Sequence, residues 1–166
     1  MNILCLINYK NHLKFVLLLS LFCFISSLTI QLVMKENPCL LCLFTRYGFL
    51  TVSIICLFAL KYINKKSVVF LPLTSLLSLL CLSFYHLGVE NHWWLAPSSC
   101  KTILPTLNDL YNSKLLITNN RPPCDTVNFK VFGFSMTLIS FIISAFLFWV
   151  SSISTVLYLS NNRIVK

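Results

Sequence analysis

Four long apolar runs constrain the fold of this chain more than any other feature of its sequence. They cover residues 15–34, 43–60, 67–89 and 131–159. A helix of about 20 apolar residues is long enough to cross a hydrocarbon core of about 30 Å. With 57% hydrophobic and only 10% charged residues, the chain is also too apolar for a soluble domain. We therefore predict an all-α membrane protein, a bundle of four transmembrane helices built as a single domain.

The first run has a competing interpretation as a signal peptide, because basic residues precede it. It is longer than the apolar core of a typical signal peptide, shows no small-x-small cleavage site and is followed by further spans. We predict that it is retained as the first span.

The charges between the runs predict the orientation of the bundle. Four spans place both termini on one side, together with the turn at 61–66. The segments 1–14, 61–66 and 160–166 contain basic residues and no acid, whereas all four acidic residues lie in the loops 35–42 and 90–130. The excess of Lys and Arg marks the cytoplasmic side. We therefore expect cytoplasmic termini and two extracytoplasmic loops.

The second loop contains two further patterns. The sequence His92-Trp93-Trp94 is typical of an aromatic anchor at the membrane interface. Apolar residues in the segment 103–115 recur at helical spacing and predict a short helix. This helix could lie on the membrane surface or pack on the bundle.

The net charge of +9 does not indicate nucleic-acid binding. The thirteen basic residues are dispersed at the ends of the apolar runs. They form neither a stripe nor a recognition motif, which is what a nucleic-acid interface requires.

The eight cysteines fall into two groups by position. We expect those in the N-terminal tail and inside the apolar runs to be inert; they are Cys5, Cys23, Cys56 and Cys81. The other four lie in the two loops; they are Cys39, Cys42, Cys100 and Cys124. The loop cysteines share the extracytoplasmic face, where disulfides form and persist.

Cys39 and Cys42 form a Cys-x-x-Cys motif just before the second run. If a helix starts there, Cys42 lies in its first turn, where free N–H groups and the helix dipole would stabilise a thiolate. Arg46 follows at i+4 on the same face. A charged residue inside a span is costly and indicates a functional site. Alternatively, the two cysteines are small buried apolar residues and Arg46 extends to the head groups.

The four loop cysteines allow three kinds of chemistry. If the cysteines form structural disulfides, a bridge between Cys100 and Cys124 would contribute about 3–4 kcal/mol to the free energy of unfolding. A structural role does not explain why Cys39 and Cys42 lie beside an arginine. A second possibility is a four-cysteine zinc site, with His86 or His92 as an alternative ligand. Such a site usually contains two pairs of ligands that are closely spaced in the sequence. Cys100 and Cys124 stand far apart, so we predict no metal.

A redox relay accounts for the most features. A relay of thiol–disulfide exchange needs one cysteine pair that reacts with a partner protein and a second cysteine pair that exchanges with the first. Cys100 and Cys124, in a flexible loop, suit a soluble partner. Cys39 and Cys42, beside the bilayer, suit a membrane-dissolved oxidant such as a quinone. Arg46 would then hydrogen-bond a quinone carbonyl oxygen.

Three stretches carry a resemblance to the family of disulfide bond formation protein B, DsbB. They are Pro38-Cys39-Leu40-Leu41-Cys42 with Arg46, the segment 85–90 leading through Trp93-Trp94 to Cys100, and Pro123-Cys124-Asp125 leading to 132–136. The resemblance covers nearly the whole chain. It implies an enzyme of the bacterial inner membrane that reoxidises a periplasmic DsbA-like thiol oxidase and passes the electrons to the membrane quinone pool.

The resemblance also implies roles for the four cysteines and two redox-active disulfides, Cys39–Cys42 and Cys100–Cys124. A thiol of the DsbA-like partner would attack Cys100, and the released Cys124 would attack Cys39. Cys42 would then react with ubiquinone or menaquinone.

The same resemblance assigns two residues to the quinone. At two other positions the chain differs from the family. Arg46 would contact the quinone. His86 matches a histidine implicated near the quinone in some members; capping the span against the head groups is the alternative. Thr45 and Phe129 differ from the residues common in the family, which concerns fine tuning only.

Two other functions remain open on the sequence. One is a structural or assembly membrane protein whose loop disulfides are permanent. The other is a four-span protein like vitamin K epoxide reductase, in which we would expect the active Cys-x-x-Cys later in the bundle than residues 39–42.

Overall fold

The computed structural model describes residues 3–34, 38–63, 66–97, 100, 122–125, 130–131 and 133–164. Within these ranges the chain forms four long helices: α1 (Ile3–Met34), α2 (Leu40–Lys61), α3 (Phe70–Glu90) and α4 (Met136–Ile164). Each contains a segment long and apolar enough to cross a membrane. The predicted four-helix membrane bundle is therefore confirmed.

The helices pack as a closed ring. α1 packs on α2, α2 on α3, α3 on α4, and α4 returns to α1. Large apolar side chains such as Leu18, Leu57 and Trp149 are exposed on the outer faces, which suits a surface in contact with lipid rather than water. Cys81 is also exposed, whereas Cys56 is fully buried in the core.

The centre of the bundle combines apolar packing with polar contacts between helices. Leu13, Leu76 and Leu147 are almost completely buried there. Ser20 of α1 and Ser53 of α2 lie 2.9 Å apart through their hydroxyl oxygens. Such hydroxyl pairs join helices where no water can satisfy them.

A glycine of α2 allows that helix to pack closely against α3. A Cβ atom at Gly48 would lie 2.7 Å from Leu79 Cδ1. Small residues at helix contacts let the two backbones come close together.

α1 begins well before the predicted first span. The segment 1–14 was expected to be a tail, but α1 is helical from Ile3. Tertiary contacts stabilise this extension: the Tyr9 ring stacks on Tyr158 at 4.7 Å, and its hydroxyl donates to the Val69 carbonyl oxygen at 3.2 Å.

α4 begins later than the predicted start at residue 131. A short antiparallel hairpin precedes it, formed by β1 (Lys130–Val131) and β2 (Phe134–Ser135). Gly133 turns the chain with a φ of 87°, a conformation that glycine adopts without strain. The Ser135 hydroxyl then accepts a hydrogen bond from the Leu138 N–H at 3.2 Å and starts the helix.

The start of α3 also differs from the prediction. A short 3₁₀ turn, Lys66–Val69, leads into α3, in place of the direct start of a span at residue 67. The helix predicted from the segment 103–115 lies outside the described residues.

Candidate active site

The start of α2 holds the Cys-x-x-Cys motif. The helix begins at Leu40 rather than at the predicted residue 43, because Cys39 acts as its N-cap. The Cys42 N–H donates to Cys39 Sγ at 3.2 Å. The helix terminus therefore acts on Cys39, and the expectation that it would stabilise a Cys42 thiolate is wrong.

Cys39 lies just outside the spanning segment and has an unusual acidity. A hydrogen bond from the Cys42 side chain holds the pKa of the Cys39 thiol well below its usual range. Burial opposes this effect, while the contact with His86 adds to it. The negative charge of the reduced pair therefore rests on Cys39.

His86, near the end of α3, lies against both sulfurs. Its Nε2 atom is 3.6 Å from Cys39 Sγ and 3.8 Å from Cys42 Sγ. The side chain is only 3% exposed, so the structure does not place it at the head groups. Cys39 and Cys42 are free thiols in the structure, which corresponds to the reduced form of the pair.

Cys100 and Cys124 are joined by a disulfide, with a Cα–Cα distance of 5.3 Å. A backbone hydrogen bond from the Cys124 N–H to the Cys100 carbonyl oxygen, at 3.2 Å, holds the two segments together. Both cysteines are buried, in one apolar cluster with Cys39, Leu41 and Val89. The disulfide is therefore covered in this state, whereas the sequence suggested that it would be accessible in a flexible loop.

The loop after α3 folds back over the last turn of that helix. Trp94 stacks on Tyr85 with ring centroids 5.9 Å apart, and its indole N–H donates to the Tyr85 carbonyl oxygen at 2.9 Å. The Trp93 N–H donates to the Gly88 carbonyl oxygen at 2.9 Å. A Cβ atom at Gly88 would lie 2.1 Å from the Trp94 ring. The aromatic pair thus fixes the path of the chain toward Cys100, while His92 is exposed and outside the site.

Arg46 is buried in the bundle and bound by α1. Its Nε donates to Ser27 Oγ at 2.9 Å, one terminal nitrogen donates to the Ser27 carbonyl oxygen at 3.2 Å, and the other donates to Gln31 Oε1. These contacts, and not extension to the head groups, compensate the cost of its charge. Ser27 and Gln31 were not among the site residues predicted from the sequence, although polar residues inside the first apolar run are a usable signal.

A further polar contact joins α3 to α4 beside the site. The Thr137 hydroxyl donates to Glu90 Oε2 and lies 2.9 Å from Ser135 Oγ. This contact ties the end of α3 to the start of α4. From the sequence, Glu90 was predicted only as one of the loop acids, whereas it is the last residue of α3.

A cavity of about 270 Å³ opens among the four helices, near the lower size limit of ligand pockets. Cys42, Arg46 and His86 line it together with apolar and hydroxyl side chains. These are Phe22, Cys23, Ser26, Ser27, Ile30, Thr45, Phe49, Met136, Thr137, Ile139, Ser140 and Ile143. Neither Cys39 nor the disulfide lines the cavity, so Cys42 is the one of the four loop cysteines that faces it.

The cavity fits a quinone ring in its chemistry. Its walls are mainly apolar, as a flat lipid-soluble ring requires. Arg46 has five N–H donors, of which its contacts with described residues engage three. Within the part of the chain that the structure describes, the other two have no hydrogen-bond partner, and a carbonyl oxygen would satisfy them.

Comparison with known proteins identifies the family of the chain. No curated protein and no solved structure matches it. The family model of disulfide bond formation protein DsbB matches residues 10–153, a range that covers α2, α3, most of α1 and α4, and both cysteine pairs. The chain therefore belongs to the DsbB family of disulfide bond formation proteins.

Proposed function

We propose that this protein reoxidises a periplasmic DsbA-like protein of the thioredoxin fold and passes the electrons to membrane quinone. One observation carries the proposal: the Cys-x-x-Cys pair lies between two environments. Cys39 packs with the Cys100–Cys124 disulfide in one buried cluster. Cys42 lines the cavity that also contains Arg46.

The first steps are two disulfide exchanges. A thiolate of the partner attacks Cys100, which forms a mixed disulfide and releases Cys124 as a thiolate. The second partner thiol then resolves the mixed disulfide, so that the partner is oxidised and Cys100 and Cys124 are reduced. Attack of Cys124 on Cys39 of the oxidised pair, followed by closure of Cys100–Cys124, moves two electrons to Cys39 and Cys42.

The last step reoxidises Cys39 and Cys42 at the cavity. A bound quinone would accept the two electrons released when their disulfide re-forms, together with two protons, one from the Cys42 thiol and one from the solvent. Arg46, which lines the same cavity, would bind a carbonyl oxygen and stabilise negative charge there. His86, in contact with both sulfurs, would take up and release the proton of the Cys42 thiol.

The charge distribution supports an orientation with both loops in the periplasm. The segments on the side of the termini contain basic residues and no acid, which favours the cytoplasm for that side of a bacterial inner membrane. The four loop cysteines would then share the oxidising compartment.

The buried disulfide supports a second function. Cys100 and Cys124 are 4% and 2% exposed, as expected for a permanent staple in a structural or assembly protein. Under the first proposal, binding of the partner has to open the loop around Cys100. The two functions differ in whether the disulfide exchanges.

The test is a turnover assay with purified protein, a reduced DsbA-like protein and a soluble ubiquinone analogue. We expect quinone absorbance to fall as the partner is oxidised. Cys42→Ser and Cys100→Ala should each lower the rate by more than about 100-fold. Arg46→His should weaken quinone use but leave exchange with the partner detectable. Cys81→Ser, at an exposed cysteine outside the site, is the matched control.

Two results would contradict the relay. One is a disulfide that remains intact with excess reduced partner, which is the behaviour of a staple. The other is loss of partner exchange, rather than of quinone reduction, in Arg46→His.

A further inference from the structure

The thiols of Cys39 and Cys42 and the imidazole of His86 converge on one point. Their ligand atoms all lie within 4.8 Å of one another. Cys39 and His86 are buried, and Cys42 is partly buried. We propose that this trio, in its reduced form, is a binding site for zinc.

The distances match those of a zinc site. Bonds of about 2.3 Å to sulfur and about 2.0 Å to nitrogen in tetrahedral geometry set sulfur and nitrogen about 3.5 Å apart. The corresponding distances from His86 Nε2 are 3.6 Å to Cys39 Sγ and 3.8 Å to Cys42 Sγ. Small side-chain adjustments therefore suffice to coordinate the ion.

The charges favour Zn²⁺ over other cations. Two thiolates and a neutral imidazole neutralise a divalent ion, and a neutral complex is the least costly in a buried site. Sulfur and nitrogen ligands exclude Mg²⁺ and Ca²⁺, which prefer oxygen. Cu⁺ would leave a net negative charge on the same ligands.

The surroundings support the coordination. The Cys42 N–H already donates to Cys39 Sγ, and such outer contacts stabilise a thiolate ligand. Because Cys42 and His86 also line the cavity, a fourth position is open to water. This set differs from the four-cysteine site considered on the sequence, since neither Cys100 nor Cys124 takes part.

Binding would hold the pair in its reduced form. Any proton that either sulfur still carries is lost to the solvent when zinc binds, and both sulfurs then become metal ligands. Neither sulfur is free to attack or to be oxidised until the ion leaves. Zinc would therefore act as a reversible inhibitor of any exchange at this pair.

The experiment measures zinc binding by the full-length protein in detergent, reduced with a phosphine and without partner or quinone. We expect one zinc ion per chain in competition with a chromogenic chelator. Cys39→Ser, Cys42→Ser and His86→Gln should each weaken binding by more than about tenfold. His92→Gln and the double variant Cys100→Ser/Cys124→Ser should bind as the unmodified protein does.

Two measurements separate loss of a ligand from misfolding. In the Co²⁺-loaded protein, sulfur-to-cobalt absorption should fall to about half in Cys42→Ser, because one of two thiolates is removed. His86→Cys returns a metal-binding atom to this position and should restore binding that His86→Gln loses.

Three results would overturn the site: no zinc binding by the reduced protein, full binding by His86→Gln, or loss of binding in Cys100→Ser/Cys124→Ser. The assay does not involve electron transfer. A failed turnover assay with intact zinc binding would therefore contradict only the proposed function.

Discussion

At the scale of single residues, the capping of α2 decides which sulfur of the motif carries charge. Cys39 stands at the N-cap and receives the Cys42 N–H. A second donor, the Cys42 side chain, holds the pKa of the Cys39 thiol well below its usual range. We expect Cys39 to be the nucleophilic sulfur of the reduced pair.

This acidity predicts a pH dependence of alkylation in the reduced protein. The rate at Cys39 should rise with pH and level off with a midpoint in the range of about 3.5–7.5 seen for activated thiols, against about 8.5 for an ordinary thiol. The measurement is mass spectrometry of the Cys39 peptide after short pulses of a small alkylating reagent.

Removal of the donor provides the control for this prediction. Cys42→Ala lacks the side-chain hydrogen bond that is the largest cause of the lowered Cys39 pKa, so its midpoint should move to higher pH. An unchanged midpoint would show that the helix start or His86, rather than Cys42, sets the acidity.

At the scale of elements, the last turn of α3 positions two parts of the site. The helix presents His86 to the sulfurs, and Gly88 makes room for the Trp94 ring of the following loop. That loop leads to Cys100, whose N–H donates to the Pro97 carbonyl oxygen at 2.8 Å. The close contact of helix and loop therefore aligns the disulfide with Cys39.

Gly88→Ala should disturb this alignment. A Cβ atom 2.1 Å from the Trp94 ring forces the loop away from α3, at a cost of about 1–3 kcal/mol. We expect a lower unfolding temperature and greater reactivity of the Cys100–Cys124 disulfide toward a mild reductant.

Two variants test the cause of this effect. Trp94→Ala should relieve most of the added cost in the double variant, because the two positions interact directly. Gly48→Ala places a Cβ atom against Leu79, where α2 packs on α3. This variant should leave the reactivity of the disulfide unchanged. Equal effects at Gly48 and Gly88 would contradict a local role for the loop contact.

At the scale of the whole molecule, the closed ring of helices brings both cysteine pairs to one end of the bundle. Cys39 precedes α2, and Cys100 follows α3. Because α2 and α3 are consecutive spans, the start of one and the end of the other lie on the same side. The relay requires this arrangement.

Labelling with a membrane-impermeant maleimide tests the orientation. In cells, Asn91→Cys, at an exposed position after α3, should react from outside. Lys61→Cys, at the exposed end of α2, should react only after permeabilisation. Both substitutions are made in protein whose native loop cysteines are replaced by serine.

The opposite pattern would reverse the orientation and place the cysteine pairs in the reducing cytoplasm. Reaction of both positions from the same side would contradict the bundle itself, since a single span separates residue 61 from residue 91.

The sequence alone determined the four spans, the Cys-x-x-Cys motif and the family, because these depend on local composition and on short motifs. Only the tertiary structure decided that His86 contacts both sulfurs and that Arg46 binds Ser27 and Gln31. These contacts join different helices, and no local pattern specifies how neighbouring helices are rotated against each other. The burial of Cys100 and Cys124 was likewise set by packing against α2 and α3, a long-range property that the polar loop sequence did not indicate.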